Sequence, residues 1–483
     1  MPRPALISDP SLSSLLARIA AEYPGLYLAG GRIRDWLLGR EGRDVDLCVA
    51  RGAIRLARGI ANATGGAFYI LDDDTDAARI LYQESGLVVD LASLRGGDII
   101  SDLKARDLTI NAMAVRLADV ALAEPRLIDP CHGRQDLEAR VVRATSEEAF
   151  RHDPVRLLRA VRLEAVLRFR IEPQTEAWIR RDASLLPNSS PERIRYELLQ
   201  ILATAGVANH VLRLHTLGLL ASALPEVALL AGSPSSPERG AASQLEWTLA
   251  VLTGIERLET QGNWLAEEEK VLGPFSVELA RYLETAICDQ RTRGLLLRWA
   301  ALLQRIDDVD AAHSESQAHE SGGNVSGDPA AEITERFHFS AQEVNLARST
   351  VANAQGLLRL AAKGMWDRRD LYRYFQRAIA GPIEPLLLAR ASQPILPGKQ
   401  RPNGESLSRL ASEILGHYFL HPEELVTPPT IATGADVMEW LGVEQGPVVG
   451  AVLREIREEQ AMGRVSTREQ ARKLIRARHA RAD

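Results

Sequence analysis

Only three cysteines occur in 483 residues, Cys48, Cys131 and Cys288, and no two stand at a metal-ligand spacing. Their scarcity excludes a disulfide-built scaffold and a cysteine zinc site, and it fits a reducing cytoplasm. No apolar run approaches the roughly 20 residues that cross a bilayer, and no secretory pattern opens the sequence, so a cytoplasmic location with no membrane partner is expected. Net charge is −6, which excludes a chain that is basic all over but not one with a local basic face. Apolar residues at 46% and charged residues at 25% describe an ordinary globular protein. The length is too great for one core and implies two to four domains.

The most informative stretch is Leu28 to Val49, LAGGRIRDWLLGREGRDVDLCV. It reads as a strand end, a Gly-Gly turn, a short helix and a second strand carrying Asp44 and Asp46. Side chains alternate along a strand, so these two carboxylates share one side. Such a pair suits Mg²⁺, a hard cation that takes oxygen ligands and keeps phosphate oxygens as partners. Gly30 and Gly31 let the backbone approach a phosphate, and the helix they open would aim free N–H groups at it. Together the parts describe a metal-dependent nucleoside triphosphate site, although each alone is also compatible with a plain turn or a solvated acidic pair.

In chain order, residues 1 to about 25 read as a helix, Ile54 to Ala63 as another, and Ala67 to Leu71, Arg79 to Tyr82 and Leu87 to Leu91 as strands. The acidic cluster Asp72, Asp73, Asp74 and Asp76 is expected to be a solvated loop. Asp90 would stand beside Asp44 and Asp46 if its strand is their neighbour. In LKARDLTINAMAV, from Leu103, Arg106 could hold a triphosphate and Asp107 accept from a ribose hydroxyl; a salt-bridged helix start is the simpler alternative. Residues 127 to 137 form a Gly/Pro-punctuated junction.

Beyond it, helical periodicity takes over. Phe150 to Arg170 is expected as one helix, with Asp153 as N-cap before Pro154. Arg156, Arg159 and Arg162 recur every three residues as a basic stripe, which fits either a solvated face or a phosphate site. Ser190 to Leu202 is a second such helix.

As a set, these motifs resemble the class II RNA nucleotidyltransferases, the family of bacterial CCA-adding enzymes and poly(A) polymerases. The resemblance spans residues from about 25 to 205. It rests on GGRIRD at Gly30 with Asp44-Val45-Asp46; Asp90 with Leu94-Arg95; RDLTINA at Arg106; Asp129 through Gly133 to Asp136-Leu137; and Asp153-Pro154-Val155-Arg156 with Leu158-Arg159. Glu192-Arg193 and Glu197-Leu198 match the helix that follows. The resemblance implies an α/β polymerase-β-like nucleotidyltransferase domain at the N-terminus followed by an extended all-α region. It implies Asp44 and Asp46 as metal ligands and Asp90 as the third catalytic acid. Gly30, Gly31 and Arg34 would contact the triphosphate. Arg106 and Asp107 would select ribose, with Asn111 in the same motif, and Asp153 and Arg156 would offer a hydrogen-bonding edge to C or A. Arg159 and Arg162 complete the expected nucleotide-binding set. Expected partners are ATP, CTP and a tRNA or other RNA 3′ end. One departure is His152, where the family usually has an acidic residue; it either bears on nucleotide choice or is a tolerated polar swap at a helix cap.

The second half resembles an HD phosphohydrolase-like domain without its metal ligands: Glu246-Trp247-Thr248-Leu249 replaces a His-Thr-Leu, and Gln304-Arg305 replaces His-Asp. A structural relic is expected there. Ala312 to Asp328 is expected to be a flexible loop, and His313 and His319 within it to be solvated rather than metal-binding. Ile431 to Ile475 resembles a C-terminal helical module, whose final basic helix, with Arg464, Arg468, Arg472, Lys473, Arg476, Arg478 and Arg481, suits RNA or is simply a soluble end. The expected division is 1–141 catalytic, 142–225 nucleotide recognition, 226–395 HD-like and 396–483 an RNA-binding tail. The activity the resemblance implies is template-independent addition of C and A to tRNA 3′ ends, as CCA or in part as CC-only or A-only; the alternatives are a poly(A) polymerase, a bifunctional phosphohydrolase and a non-catalytic RNA-binding protein.

Overall fold

The computed structural model describes residues 6–7, 9–40, 44–122, 124–233, 243–260, 264–306, 328–396 and 402–479; the side chains of Asp44 and His479 are not among what it describes. The expected loop from Ala312, with His313 and His319, lies outside the described residues except for Asp328, and so does Arg481. The chain divides into two units, residues 1–201 with 213–223, and residues 202–212 with 224–483.

The first unit is built on a seven-stranded sheet. Its strands are β1 (Tyr27–Ala29), β2 (Asp44–Val49), β3 (Ala67–Asp72), β4 (Ala77–Tyr82), β5 (Leu87–Ser93), β6 (Ala114–Arg116) and β7 (Leu127–Ile128). Their order is β3-β4-β5-β2-β1-β6-β7, and the β2–β5 pair alone is parallel. One face carries Leu28, Val45, Leu47, Ile80, Val89 and Leu91, which pack on α1 (Pro10–Glu22), α2 (Gly31–Leu37) and α3 (Ala53–Thr64). Alternation puts the next residues of β2 and β5 on the opposite face. There Cys48 packs with Ala29, Ala114 and Leu103, the last on α4 (Ile99–Lys104). An α/β head is thus what this sequence forms, and its helical remainder is equally as expected.

Three local expectations are corrected. The N-terminal helix begins only at Pro10, where the Asp9 carboxylate accepts from the N–H groups of Ser11 and Leu12. The Phe150–Arg170 segment is two helices, α5 (Ala149–His152) and α6 (Arg156–Leu167), with Asp153 extended between them. Proline disfavours helical backbone in the residue before it, so the chain breaks at Asp153. The carboxylate of Asp153 meets Arg193 (2.8 Å) instead of capping α6. Finally, Asp76 is not a solvated loop residue. It accepts from the N–H groups of Gly52, Ala53 and Ile54 at 2.8–2.9 Å and from the Ser93 hydroxyl, so it caps α3 from across the sheet.

The second unit is helical. Its helices include α7 (Gln244–Glu259), α8 (Arg293–Leu303), α9 (Ala341–Lys363), α10 (Arg368–Arg377) and α11 (Ile383–Ser392). α11 is buried all round, as an interior helix must be. Its Glu384 is held by Arg293 (2.6 Å) and the Tyr282 hydroxyl (2.8 Å), which gives a buried carboxylate the partners it requires. The Gln304 amide donates to the Ala301 carbonyl and accepts from Ser392. Arg305 donates to Gln244 and lies over the Trp247 ring. Near the C-terminus, Val437, Trp440, Val452, Ile456 and Ile475 form a separate small core. Arg464, Arg468 and Arg478 there are paired with Glu459, Asp436 and Glu455.

The Ser93 hydroxyl and the three backbone N–H groups hold the Asp76 carboxyl below its ordinary range. A depressed folded value means the stabilisation is present above the unfolded value of about 3.9 and is lost as pH falls through the folded one. Asp76→Ala is expected to weaken the α3 cap by about 1–2 kcal/mol at pH 7, raising amide exchange of the first α3 turn roughly tenfold. In urea unfolding the deficit relative to the parent protein should shrink below about pH 4. Equal exchange at pH 7 would refute the cap.

Candidate active site

β1 ends in a turn whose Gly30 has φ +79°, a conformation that side-chain-bearing residues avoid. A Cβ there would stand 3.0 Å from Asp46 Oδ2 and 3.2 Å from Arg106 Nη1. The backbone therefore passes directly over the Asp46 carboxylate, and only glycine allows it. α2 starts immediately after, at Gly31. Ala29 pairs with Asp46 across the strands, and Asp46 is in register with Asp90 on the parallel neighbour β5. The two carboxylates therefore stand side by side on the face away from the main core. Asp44 lies two residues earlier on β2, opposite Val88.

Asp90, Arg106 and Arg34 are each oriented by partners. Asp90 receives a two-pronged bond from Arg79 (2.8 and 2.9 Å). Arg106 donates to Asp102 (3.1 Å) and to the Cys48 sulfur (3.1 Å), which leaves its Nη1 beside the Gly30 turn. Burial pushes the Cys48 thiol up to about 11, against the lowering effect of Arg106, so it stays neutral. Arg34 bonds Asp35 (2.9 and 3.0 Å) and reaches Asn111 (2.8 Å), tying α2 to the RDLTINA segment. That segment is anchored in turn by Asp136, which accepts from the Thr109 hydroxyl (2.7 Å). Gly133 packs so tightly that a Cβ would stand 2.1 Å from the Thr109 carbonyl oxygen.

A buried ionic chain leads from the sheet to the helices. Asp107 is buried and accepts from Arg159 (3.1 Å); Arg159 also meets Glu197 (3.2 Å), and Arg162 meets the other Glu197 oxygen (2.8 Å). Burial alone would raise the Asp107 carboxyl, but Arg159 and Arg156 beside it hold it below its ordinary range. The spaced arginines are thus not a solvated stripe: two of them grip one buried glutamate from the helix Pro191–Leu202. Arg156 is buried, donates to the carbonyls of Ala105 and Ala149 (both 3.2 Å) and lies 3.5 Å from Asp153. Asp153 is held low against its burial by Arg193, Arg156 and Arg159. His152 is exposed at the end of α5.

The structure thus gathers Gly30, Gly31, Arg34, Asp46, Asp90, Arg106 and Asn111 around the end of β2. It links Asp107, Asp153, Arg156, Arg159 and Arg162 in one network of charges. Sequence reasoning missed Asp102, the partner of Arg106, although its position four residues earlier on a helix was a readable signal. It also missed the load on Glu197, which no local pattern announces because its partners lie 35 and 38 residues away in the chain.

A head that presents adjacent carboxylates under a glycine turn is the architecture of a nucleotidyltransferase. Residues 26–143 match the family described as the poly A polymerase head domain, and residues 168–230 match the probable RNA and SrmB-binding site of polymerase A. The chain is 31% identical to the A-adding tRNA nucleotidyltransferase of Deinococcus radiodurans, across 94% of this chain and 95% of that one. It is 29% identical to the CC-adding tRNA nucleotidyltransferase of Geobacter sulfurreducens, across 98% and 96%. In fold it is similar to a CCA-adding enzyme solved with CTP, at a TM-score of 0.61 and 21% identity over 97% of this chain and 96% of that one. This chain belongs to the family of tRNA nucleotidyltransferases.

Gly30→Ala combines a disfavoured backbone with a methyl group against Asp46 and Arg106. The strain alone is of order 1–3 kcal/mol, and the methyl displaces the carboxylate. Nucleotide incorporation is expected to fall at least a hundredfold with unchanged circular dichroism; parental activity would show that the turn does not position Asp46.

Proposed function

We propose that the protein adds C, A or both to the 3′ end of tRNA, from CTP and ATP and without a nucleic-acid template. The observation that carries this reading is the register of Asp46 with Asp90 on adjacent parallel strands, beneath a turn that only glycine can make. It is supported by the relatives' names, which include both A-adding and CC-adding tRNA nucleotidyltransferases.

In this reading Asp44 and Asp46 would hold a divalent ion, Mg²⁺, with Asp90 as the third acid. The donors fit: carboxylate oxygens are the ligands a hard cation takes, and the Gly30 turn leaves open the space that a side chain would fill. The bound ion would polarise the α-phosphate and lower the pKa of the attacking hydroxyl. The RNA 3′ oxygen forms a bond to the α-phosphorus, the α–β anhydride bond breaks, and pyrophosphate leaves. Gly30, Gly31 and Arg34 cradle the triphosphate. Arg106, steered by Asp102, supplies positive charge beside the turn, and Asp107 accepts from the ribose. Asp153 and Arg156, supported by Arg159 and Arg162, offer acceptor and donor atoms to the base edge, which takes effect once Asp153 turns from Arg193. His152 adjoins that edge, so a division of labour, CC-only or A-only, is the second reading. The site would work in the cytoplasm, within a four-part chain of catalytic (1–141), nucleotide-recognition (142–225), HD-like (226–395) and tail (396–483) segments.

Four RNAs test this with Mg²⁺ present: tRNA lacking CCA, tRNA ending in C, tRNA ending in CC, and an unstructured oligonucleotide. Addition that halts at CCA on the tRNAs is expected, and Asp46→Ala should lower it by several orders of magnitude. Addition of A to the CC-ended tRNA only, or of C to the shorter ones only, would establish the divided pathway. Long A tails on the unstructured RNA would overturn the tRNA assignment.

A further inference from the structure

The 23-residue helix α9 has one carboxylate, Glu343, and it is fully buried against Arg291 and Ser340. The exposed side of the same helix carries Arg348, Arg359 and Lys363, separated by the small residues Ala352 and Gly356 and the neutral Gln355. Fifteen residues from Arg348 to Lys363 span about 22 Å at helical rise. Arg377, at the end of α10, lies between them. It lines a cleft of about 650 Å³ with Arg348, and a second of about 260 Å³ with Arg359 and Lys363.

Among the described residues no carboxylate pairs with any of these four cations. Arg348 bonds only the neutral Asn345 (2.6 Å). The larger cleft is lined by no acid, and in the smaller one Asp370 is occupied as a cap, accepting from the Asp367 N–H (3.1 Å). Arginines nearby behave differently: Arg291, Arg293, Arg369 and Arg373 all sit on glutamates. In a chain of net charge −6, four unneutralised cations along one face are a local reversal of the protein's overall charge. An ordinary soluble helix face would interleave acids with bases.

We propose that the exposed face of α9, together with Arg377, docks the phosphate backbone of the RNA substrate. This rests on the tRNA reading above and adds a contact outside residues 168–230, the segment matched by the RNA-binding family. A linear row of cations on a smooth helix fits a regularly charged strand. Neutral donors on the same face, Asn345, Ser349 and Asn353, suit phosphate and sugar oxygens. Small residues between the cations let a broad backbone approach closely.

The test is the full-length quadruple variant Arg348→Gln, Arg359→Gln, Lys363→Gln and Arg377→Gln. Its affinity for tRNA lacking CCA is measured from low to moderate KCl, together with steady-state CMP incorporation. Losing four phosphate contacts should reduce the slope of log affinity against log salt by about 3. The KM for tRNA should rise at least tenfold, with the KM for CTP and kcat unchanged. Arg377→Gln alone should reduce the slope by about 1 and serves if the quadruple variant does not fold. An unchanged slope and tRNA affinity in either folded variant would overturn the proposal and leave the face to an acidic protein or to solvent. A parent enzyme that neither binds nor extends tRNA would instead overturn the functional reading.

Discussion

The first unit depends on a buried carboxylate. Asp107 sits in the segment between α4 and β6, and its charge is tolerable there because Arg159 reaches it from α6. Arg159 in turn requires Glu197, and Glu197 draws in Arg162. Two arginines and two carboxylates alternate along this path, so no charge is left alone in a poorly solvated place. Breaking such a chain at one link is far worse than never having built it, because the remaining charges are stranded. The helix that carries Arg156, Arg159 and Arg162 is thereby fixed to the connecting segment between α4 and β6 that carries Arg106 and Asp107. The groups proposed to face phosphate and those proposed to face the base belong to one frame.

The sheet solves a different problem, how to keep acidic groups close together on a structured surface. Parallel pairing of β2 with β5 sets Asp46 beside Asp90, and the glycine turn from β1 comes down on top. Neighbouring cations offset the crowding: Arg79 holds Asp90, and Arg106 stands beside Asp46. A cation entering between phosphate and carboxylates would meet oxygen ligands already arranged on rigid strands rather than on loops. That preorganisation lets one small domain serve phosphoryl chemistry.

Much of this was legible in the chain itself. The Asp-x-Asp alternation, the paired glycines and the order of motifs pointed to the α/β head, and the helical remainder followed from periodicity. Asp90 was placed by strand order, and the register puts it beside Asp46. What escaped was set by distant partners. Asp76 looked like one of four solvated aspartates, but tertiary structure carries it to the start of α3, where three N–H groups and a hydroxyl converge on it. The helix through Asp153 looked continuous because its apolar spacing was; Pro154 and the pull of Arg193 break it. The arginine stripe was seen, but Glu197, which makes it an internal network, is recognisable only in three dimensions.

The most direct test of the shared frame is Glu197→Gln, since Glu197 is buried and orients arginines without touching nucleotide in this account. Single-turnover incorporation of CMP and AMP would be followed below the melting temperature, with UTP and GTP as competitors and tRNA affinity measured in parallel. If the ionic chain aligns the base-reading helix with the catalytic strands, the rate should fall at least tenfold and discrimination against UTP and GTP should weaken, while tRNA affinity stays as in the parent. Parental rate and discrimination in the folded variant would contradict the account.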